Sequence, residues 1–197
     1  FLPSPQQRWC TSKLKILPLE KWIKPDLEKG KTIVSLVAIR ADEPYREGQR
    51  SKHENYIVDL PFRRDGINRK GVVDLLNASG LGVPDYYKWR SRSGCTFCFF
   101  QRKIEWVRLK KNHPDAFERA KKIEKISLDN GSPFAWIEGE TLEDLEKPVR
   151  VKQIEENYEK NKQRALMKKK VNPLDPNELL DDDDLFGQSK FCISCHK

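Results

Sequence analysis

Five cysteines carry the clearest chemistry in this chain: Cys10 alone, and the two Cys-x-x-Cys pairs Cys95/Cys98 and Cys192/Cys195. An odd count with no secretory signal speaks against a disulfide framework. In a reducing compartment such pairs read as metal, cluster or redox chemistry. Cys95-Thr96-Phe97-Cys98 precedes a helical pattern, and a helix start lowers a thiol's pKa, which raises a thioredoxin-like reading. That reading wants a strand before the motif, whereas a polar Arg/Ser/Gly segment, Arg90–Gly94, precedes it. The two pairs are also too far apart for a local zinc ribbon, so tertiary folding must bring them together if they share a site. Four thiolates suit zinc or an iron–sulfur cluster alike. The tail pair, followed by His196, is either part of such a site or an unliganded motif.

Charge and composition frame this chemistry. The chain has 38 basic and 30 acidic side chains, a formal net charge of +8, and 35% charged residues. The surplus favours an anionic partner such as DNA, RNA or a nucleotide, but both signs are mixed and a solvated surface explains them equally. Asp181–Asp184 reads as a solvated acidic loop, because adjacent carboxylates do not converge easily on one cation. The longest strongly apolar stretch, Thr32–Ile39, is far short of the roughly 20 residues of a membrane helix. Phe1–Pro5 has neither the basic nor the apolar region of a signal peptide. The expectation is a soluble, cytoplasmic protein with no membrane partner.

The elements that must position the cysteines follow from periodicity. Leu19–Trp22 reads as a short helix or turn. Thr32–Ile39 is continuous, β-branched and bounded by glycine and charge, the pattern of a strand buried on both faces. Arg40, Asp42, Glu43 and Arg46 follow it, where open α/β sheets bind ligands; a solvated strand end is the alternative. Tyr56–Leu60 is a second strand stopped by Pro61. Asn68–Ala78 reads as a helix with Val72, Val73, Leu75 and Leu76 as its apolar face. Phe99–Lys111 has helical spacing, with Phe100, Ile104, Val107 and Lys111 on one side, and Pro114 opens another helix carrying Phe117, Ala120 and Ile123. These aromatic stripes read as core. Asp129–Pro133 breaks the chain, and Thr141–Lys170 is a charged helical stretch. The division expected is residues 1–128 as an α/β domain with the cysteine site, 129–170 as a helical extension, and 171–197 as an acidic linker and cysteine tail.

An ordered set of short motifs carries a family resemblance: Arg8-Trp9-Cys10 with Lys13 and Lys15, Ile39-Arg40-Ala41-Asp42-Glu43 with Arg46, Ser79-Gly80-Leu81, and Arg92-Ser93-Gly94-Cys95-x-x-Cys98. Over about residues 6–126 the chain resembles the carboxyl-terminal half of the phosphoadenosine phosphosulfate reductase-like family. The resemblance implies the parallel-sheet fold of adenine-nucleotide α-hydrolases, shared with ATP pyrophosphatases of the DNA-phosphorothioation type. It implies a 4Fe–4S cluster on Cys10, Cys95 and Cys98, with zinc as the alternative. Trp9 stands where the family's early cysteine pair would have its other member, so the fourth ligand falls to the tail, to Cys192 or Cys195. Cys192 is the expected ligand and Cys195, beside His196, the expected catalytic sulfur carrier.

The same resemblance puts Lys13, Arg40, Asp42, Glu43, Arg46 and Arg92 in a site for an adenine nucleotide, ATP or a phosphosulfate. A phosphate loop of the Ser-Gly-Gly-x-Asp-Ser kind is found nowhere in these residues, and such a loop supplies backbone donors for pyrophosphate. The expected partner is therefore an amino-terminal half or a separate chain that carries it, together with DNA or RNA and a cysteine desulfurase. The implied activity is that of the cluster-bearing part of an ATP pyrophosphatase or sulfurtransferase in nucleic-acid sulfur modification. The alternatives are a zinc-stabilised nucleic-acid-binding module without catalysis and a true phosphosulfate or adenylyl-sulfate reductase.

Overall fold

The computed structural model describes residues 1–5, 7–47, 53–91 and 94–168. Arg92, Cys192, Cys195, His196 and the acidic linker lie outside the described residues. The chain is rich in helix, with one small parallel sheet, an arrangement compatible with part of an α/β fold. The described residues divide into two compact units, one holding Arg8–Asp85 and the other holding the residues before Arg8 together with 86–168.

In the Arg8–Asp85 unit, α1 (Trp9–Thr11) runs through a π-helical turn, Ser12–Ile16, into α2 (Leu17–Glu28). The short helix expected at 19–22 is thus twelve residues long. Pro18 suits its first turn, where a missing N–H costs nothing. Lys29 and Gly30, the latter at φ 76°, end it, and Ile23 and Leu27 are its buried residues. Strand β1 (Ile33–Leu36) pairs in parallel with β2 (Tyr56–Asp59), with Val34 opposite Ile57 and Leu36 opposite Asp59.

The expectation of a strand buried on both faces does not hold among the described residues. Val34 is 55%, Leu36 68% and Ile57 49% exposed, while Ile33, Ser35 and Val58 on the other face are half-buried. Two strands make the whole sheet among the described residues, and the side chains of that face are left largely to solvent there. Parallel sheets are ordinarily covered on both sides. After β2 come α3 (Pro61–Arg64) and α4 (Arg69–Ala78), the latter capped by Asn68 Oδ1, which accepts from Gly71 N at 3.0 Å. Its apolar face is narrower than the sequence suggests. Val72, Val73 and Leu76 are half-buried at helical spacing, whereas Leu75, a quarter-turn away, is exposed.

In the other unit the core forms around α5 (Lys103–Asn112), α6 (Pro114–Asp129), α7 (Leu142–Leu145) and α8 (Pro148–Lys168). Trp106, Leu109, Phe117, Ala120, Leu142 and Leu145 are wholly enclosed, joined by Trp136, Ile154 and Leu2. The aromatic stripes are core, with Trp106 meeting Phe117 edge-on at 6.5 Å and Trp136 at 6.1 Å. On α6 the buried row is Ala116, Phe117, Ala120, Glu124 and Ser127, so the expected Ile123 falls outside it and is exposed. The helix expected over 141–170 is interrupted between α7 and α8, where Pro148 restarts it.

One buried carboxylate fastens the segment between α6 and α7. Glu124, 2% exposed, accepts from Trp136 N at 2.9 Å and from Leu142 N at 2.7 Å. Burial pushes its carboxyl above the ordinary value in spite of these bonds. Replacing it with alanine strands two buried amides, each costing about 1–3 kcal/mol. Glu124→Ala is therefore expected to lower the urea midpoint followed by tryptophan fluorescence, with far-UV dichroism of the native baseline preserved. An unchanged midpoint would mean that the two amides find other partners.

Candidate functional site

Cys95 and Cys98 lie in the segment between the 3₁₀ turn Asp85–Lys88 and α5. Both ends of that segment meet at one side chain. Glu105, at the third position of α5 and 2% exposed, accepts from Ser91 N at 3.0 Å and Ser91 Oγ at 2.7 Å through Oε1. Its Oε2 accepts from Arg102 N at 3.1 Å, closing a capping box at the helix start. Arg102 Nη2 donates to Ser91 Oγ at 3.2 Å and completes the ring. The loop that holds the cysteines is thus tied shut by a carboxylate that the helix itself presents.

Inside the loop, Arg90 Nη1 donates to Cys95 O at 2.9 Å, and Gln101 N donates to Cys98 O at 2.9 Å. Phe97 and Phe99 pack against the core, Phe97 meeting Trp136 edge-on at 5.4 Å. These anchors hold the intervening backbone, with Cys95 exposed and Cys98 half-buried, both outside any disulfide. Burial opposes ionisation of Glu105, but the hydrogen bonds from Ser91 and Arg102 and the charge of Arg102 outweigh it. Its carboxyl is held below the ordinary value.

The second place of interest follows β1. Arg40 Nε lies 3.0 Å from Asp42 Oδ1 and 3.6 Å from Glu43 Oε2, and Arg46 Nη1 lies 2.5 Å from Glu43 Oε1. The structure thus brings together four of the expected nucleotide residues, already paired with one another. An anionic ligand would have to compete with Asp42 and Glu43 for the two guanidinium groups. Lys13, on the π-helical turn, makes no ion pair or hydrogen bond with them among the described residues. Sequence reasoning missed Arg63, whose Nη2 donates to Glu43 O at 2.7 Å and Arg46 O at 2.6 Å, fixing the loop. The sequence carries no signal for it: only the parallel pairing, which brings the carboxyl ends of both strands to one edge, shows what an arginine just after β2 can reach.

Of the expected metal ligands, Cys10 is half-buried on α1 in the Arg8–Asp85 unit, and Cys192 lies outside the described residues. Among the described residues no three His, Cys, Asp or Glu side chains gather to hold a metal ion. The Cys95–Cys98 loop would supply two thiolates, one edge of such a centre, and Arg90 Nε and the Gln101 amide, on residues either side of it, are buried without hydrogen-bond partners among the described residues. No family model, no curated protein and no solved structure matches the chain. Its function has to be argued from these residues.

The Glu105 tie has a pH signature. A carboxyl held below 4.5 contributes stability above that pH, and the contribution is lost as pH falls from there through the folded value. Exchange of the Ser91 and Arg102 amides is therefore expected to lose protection on acidification below about pH 4.5. In Glu105→Ala that protection is expected to be absent already at neutral pH, and Cys98 to be alkylated faster. Equal alkylation rates in variant and wild type would show that the loop does not depend on the carboxylate.

Proposed function

We propose that the chain is the cluster-bearing part of a reductase-like ATP pyrophosphatase or sulfurtransferase acting in nucleic-acid sulfur modification. The observation that carries this reading is the Cys-x-x-Cys loop held in shape by a buried carboxylate. A solvated, unused pair of thiols needs no such scaffold. Cys10, Cys95, Cys98 and Cys192 would hold the 4Fe–4S cluster, which when bound supplies electron-transfer and sulfur-coordinating iron chemistry.

The chain's own residues take the remaining roles. Arg40 and Arg46, oriented by Asp42, Glu43 and Arg63, offer charge to the phosphates of an adenine nucleotide, with Lys13 and Arg92 contributing from other segments. The exposed apolar sheet face of Val34, Leu36 and Ile57 is where a layer of a second half, carrying the phosphate loop, packs over the sheet. Cys195, beside His196, carries the sulfur delivered by a cysteine desulfurase. The acceptor is DNA or RNA, in keeping with the exposed Lys13 and Lys15, which have no ion partner among the described residues. Among the described residues no helix is long and apolar enough to cross a membrane.

Anaerobic purification tests the reading directly. The chain is expected to be brown, with iron and acid-labile sulfide in equal amounts. Cys95→Ser and Cys98→Ser are each expected to lose the colour, because a hydroxyl is a poorer ligand for iron than a thiolate. One equivalent of zinc without sulfide would replace this reading with a zinc-stabilised nucleic-acid-binding module.

A further inference from the structure

Helix α2 buries Ile23 and Leu27, yet with the π-helical turn before it the helix also holds large apolar side chains in water. Trp22 is 77%, Leu14 68% and Leu17 51% exposed. Side chains one helical turn apart share a face. Leu14, Pro18 and Trp22 form a central outward row at that spacing, opposite the buried pair. Leu17 and Lys21 run along one side of the row, and Lys15 and Leu19 along the other. Lys15 and Lys21 are exposed and have no ion partner among the described residues. The helix's own acids leave them unmatched. Asp26 is held by Lys31 at 2.8 Å and Glu28 by Lys24 at 3.6 Å. Glu20, two residues before Trp22, lies about 200° around the axis from it. The result is an apolar strip with a cationic rim, about 12 Å long from Leu14 to Trp22.

We infer that this strip binds an unpaired stretch of nucleic acid, with a base stacked on Trp22 and phosphates on Lys15 and Lys21. A duplex keeps its base faces inside and offers phosphates at its surface, which would satisfy the lysines but leave Trp22, Leu14 and Leu17 in water. A single strand offers both chemistries, flat apolar base faces for the aromatic ring and a charged backbone for the cations. The strip spans roughly three nucleotides at the stacked rise of about 3.4 Å. Stacking on a tryptophan tolerates any base, because every base has a π-face, so the strip grips a strand without reading its sequence. This rests on nucleic acid as the acceptor in the function proposed above, and narrows that acceptor to single-stranded segments.

The full chain, as purified and without added metal or nucleotide, is titrated into a short fluorescein-labelled oligothymidylate, the matching oligouridylate and a blunt duplex of similar length. Anisotropy is read across a salt series. At least one single strand is expected to bind more tightly than the duplex, and the tighter of the two identifies the acceptor as DNA or RNA. Each phosphate neutralised on a single strand adds about 0.7 to the salt slope, so Lys15→Gln and Lys21→Gln are each expected to reduce it by about that amount. Trp22→Ala is expected to weaken binding about five-fold or more with the slope unchanged, and Trp22→Phe to keep most of the affinity. These positions are exposed, and a wild-type dichroism melt checks each variant. Single-strand binding that none of the variants weakens would overturn the inference while leaving nucleic acid as the acceptor. A duplex bound as tightly as either strand, with Trp22→Ala without effect, would overturn it too, because phosphate contact alone would then explain the lysines. Binding to phosphatidylserine vesicles in place of the oligonucleotides would give the strip to an anionic lipid surface instead. A colourless, metal-free chain that binds a single strand as expected removes the cluster reading and leaves this inference standing. A brown chain that binds no oligonucleotide does the reverse.

Discussion

A single ionised carboxylate, that of Glu105, decides the shape of the cysteine loop. It spans the loop's two ends and simultaneously caps the helix that follows, so loop closure and helix initiation are one event. Glu124 makes an instructive comparison, because it is equally buried, at 2% exposed, and also binds backbone amides. Their acidities move in opposite directions. Glu105 collects three donors and a neighbouring arginine, enough to overcome burial; Glu124 has two donors and the charge of Asp144 nearby, and burial prevails. The loop tie is thus a charged device at neutral pH. The core clasp is less committed to ionisation.

The sheet obeys a different constraint. Two parallel strands alone are marginal, and their ladder gains stability only through layers packed on the faces. Helix α2 packs against β1, and the face bearing Val34, Leu36 and Ile57 is left to solvent among the described residues. The carboxyl edge is organised nonetheless. Arg63 ties the loop after β1 from a position just beyond β2, so parallel register couples the two strand ends through one guanidinium.

Legibility in the sequence follows how local each cause is. The helices opening at Arg69 and Pro114 were readable because Asn68 and Pro114 act within one turn. The break at Asp129–Pro133 and both strands were readable for similar reasons. The length of α2 was hidden because two prolines, Pro18 and Pro25, argue against a helix that packing sustains. Burial of β1 was misjudged because a run of β-branched residues states what a strand can cover, not what covers it. Within the site, the cysteines announced themselves by spacing. Glu105 and Arg63 did not, since a glutamate in a helix start and an arginine after a proline are ordinary until tertiary partners are known.

Net charge, too, changes meaning once partners are assigned. Lys103 and Arg150 share Glu140, Lys110 and Lys121 share Glu146, and Lys111 meets Glu155. In the unit built on α5–α8 much of the basic surplus is therefore structural, joining helices to the segments between them. Glu140 and Glu146 are held below the ordinary carboxyl value, Glu140 by the Arg150 hydrogen bond first; at Glu146 burial is the largest single effect and opposes, and the hydrogen bonds and charges of Lys110 and Lys121 together outweigh it. By contrast, Lys13 and Lys15 are exposed on the π-helical turn without ion partners among the described residues. Charge that is already matched inside a fold has little attraction left for a polyanion, because a phosphate must first displace the carboxylate. An electrostatic argument for nucleic acid therefore belongs to the unmatched lysines around that turn, next to Cys10, and not to the total of +8.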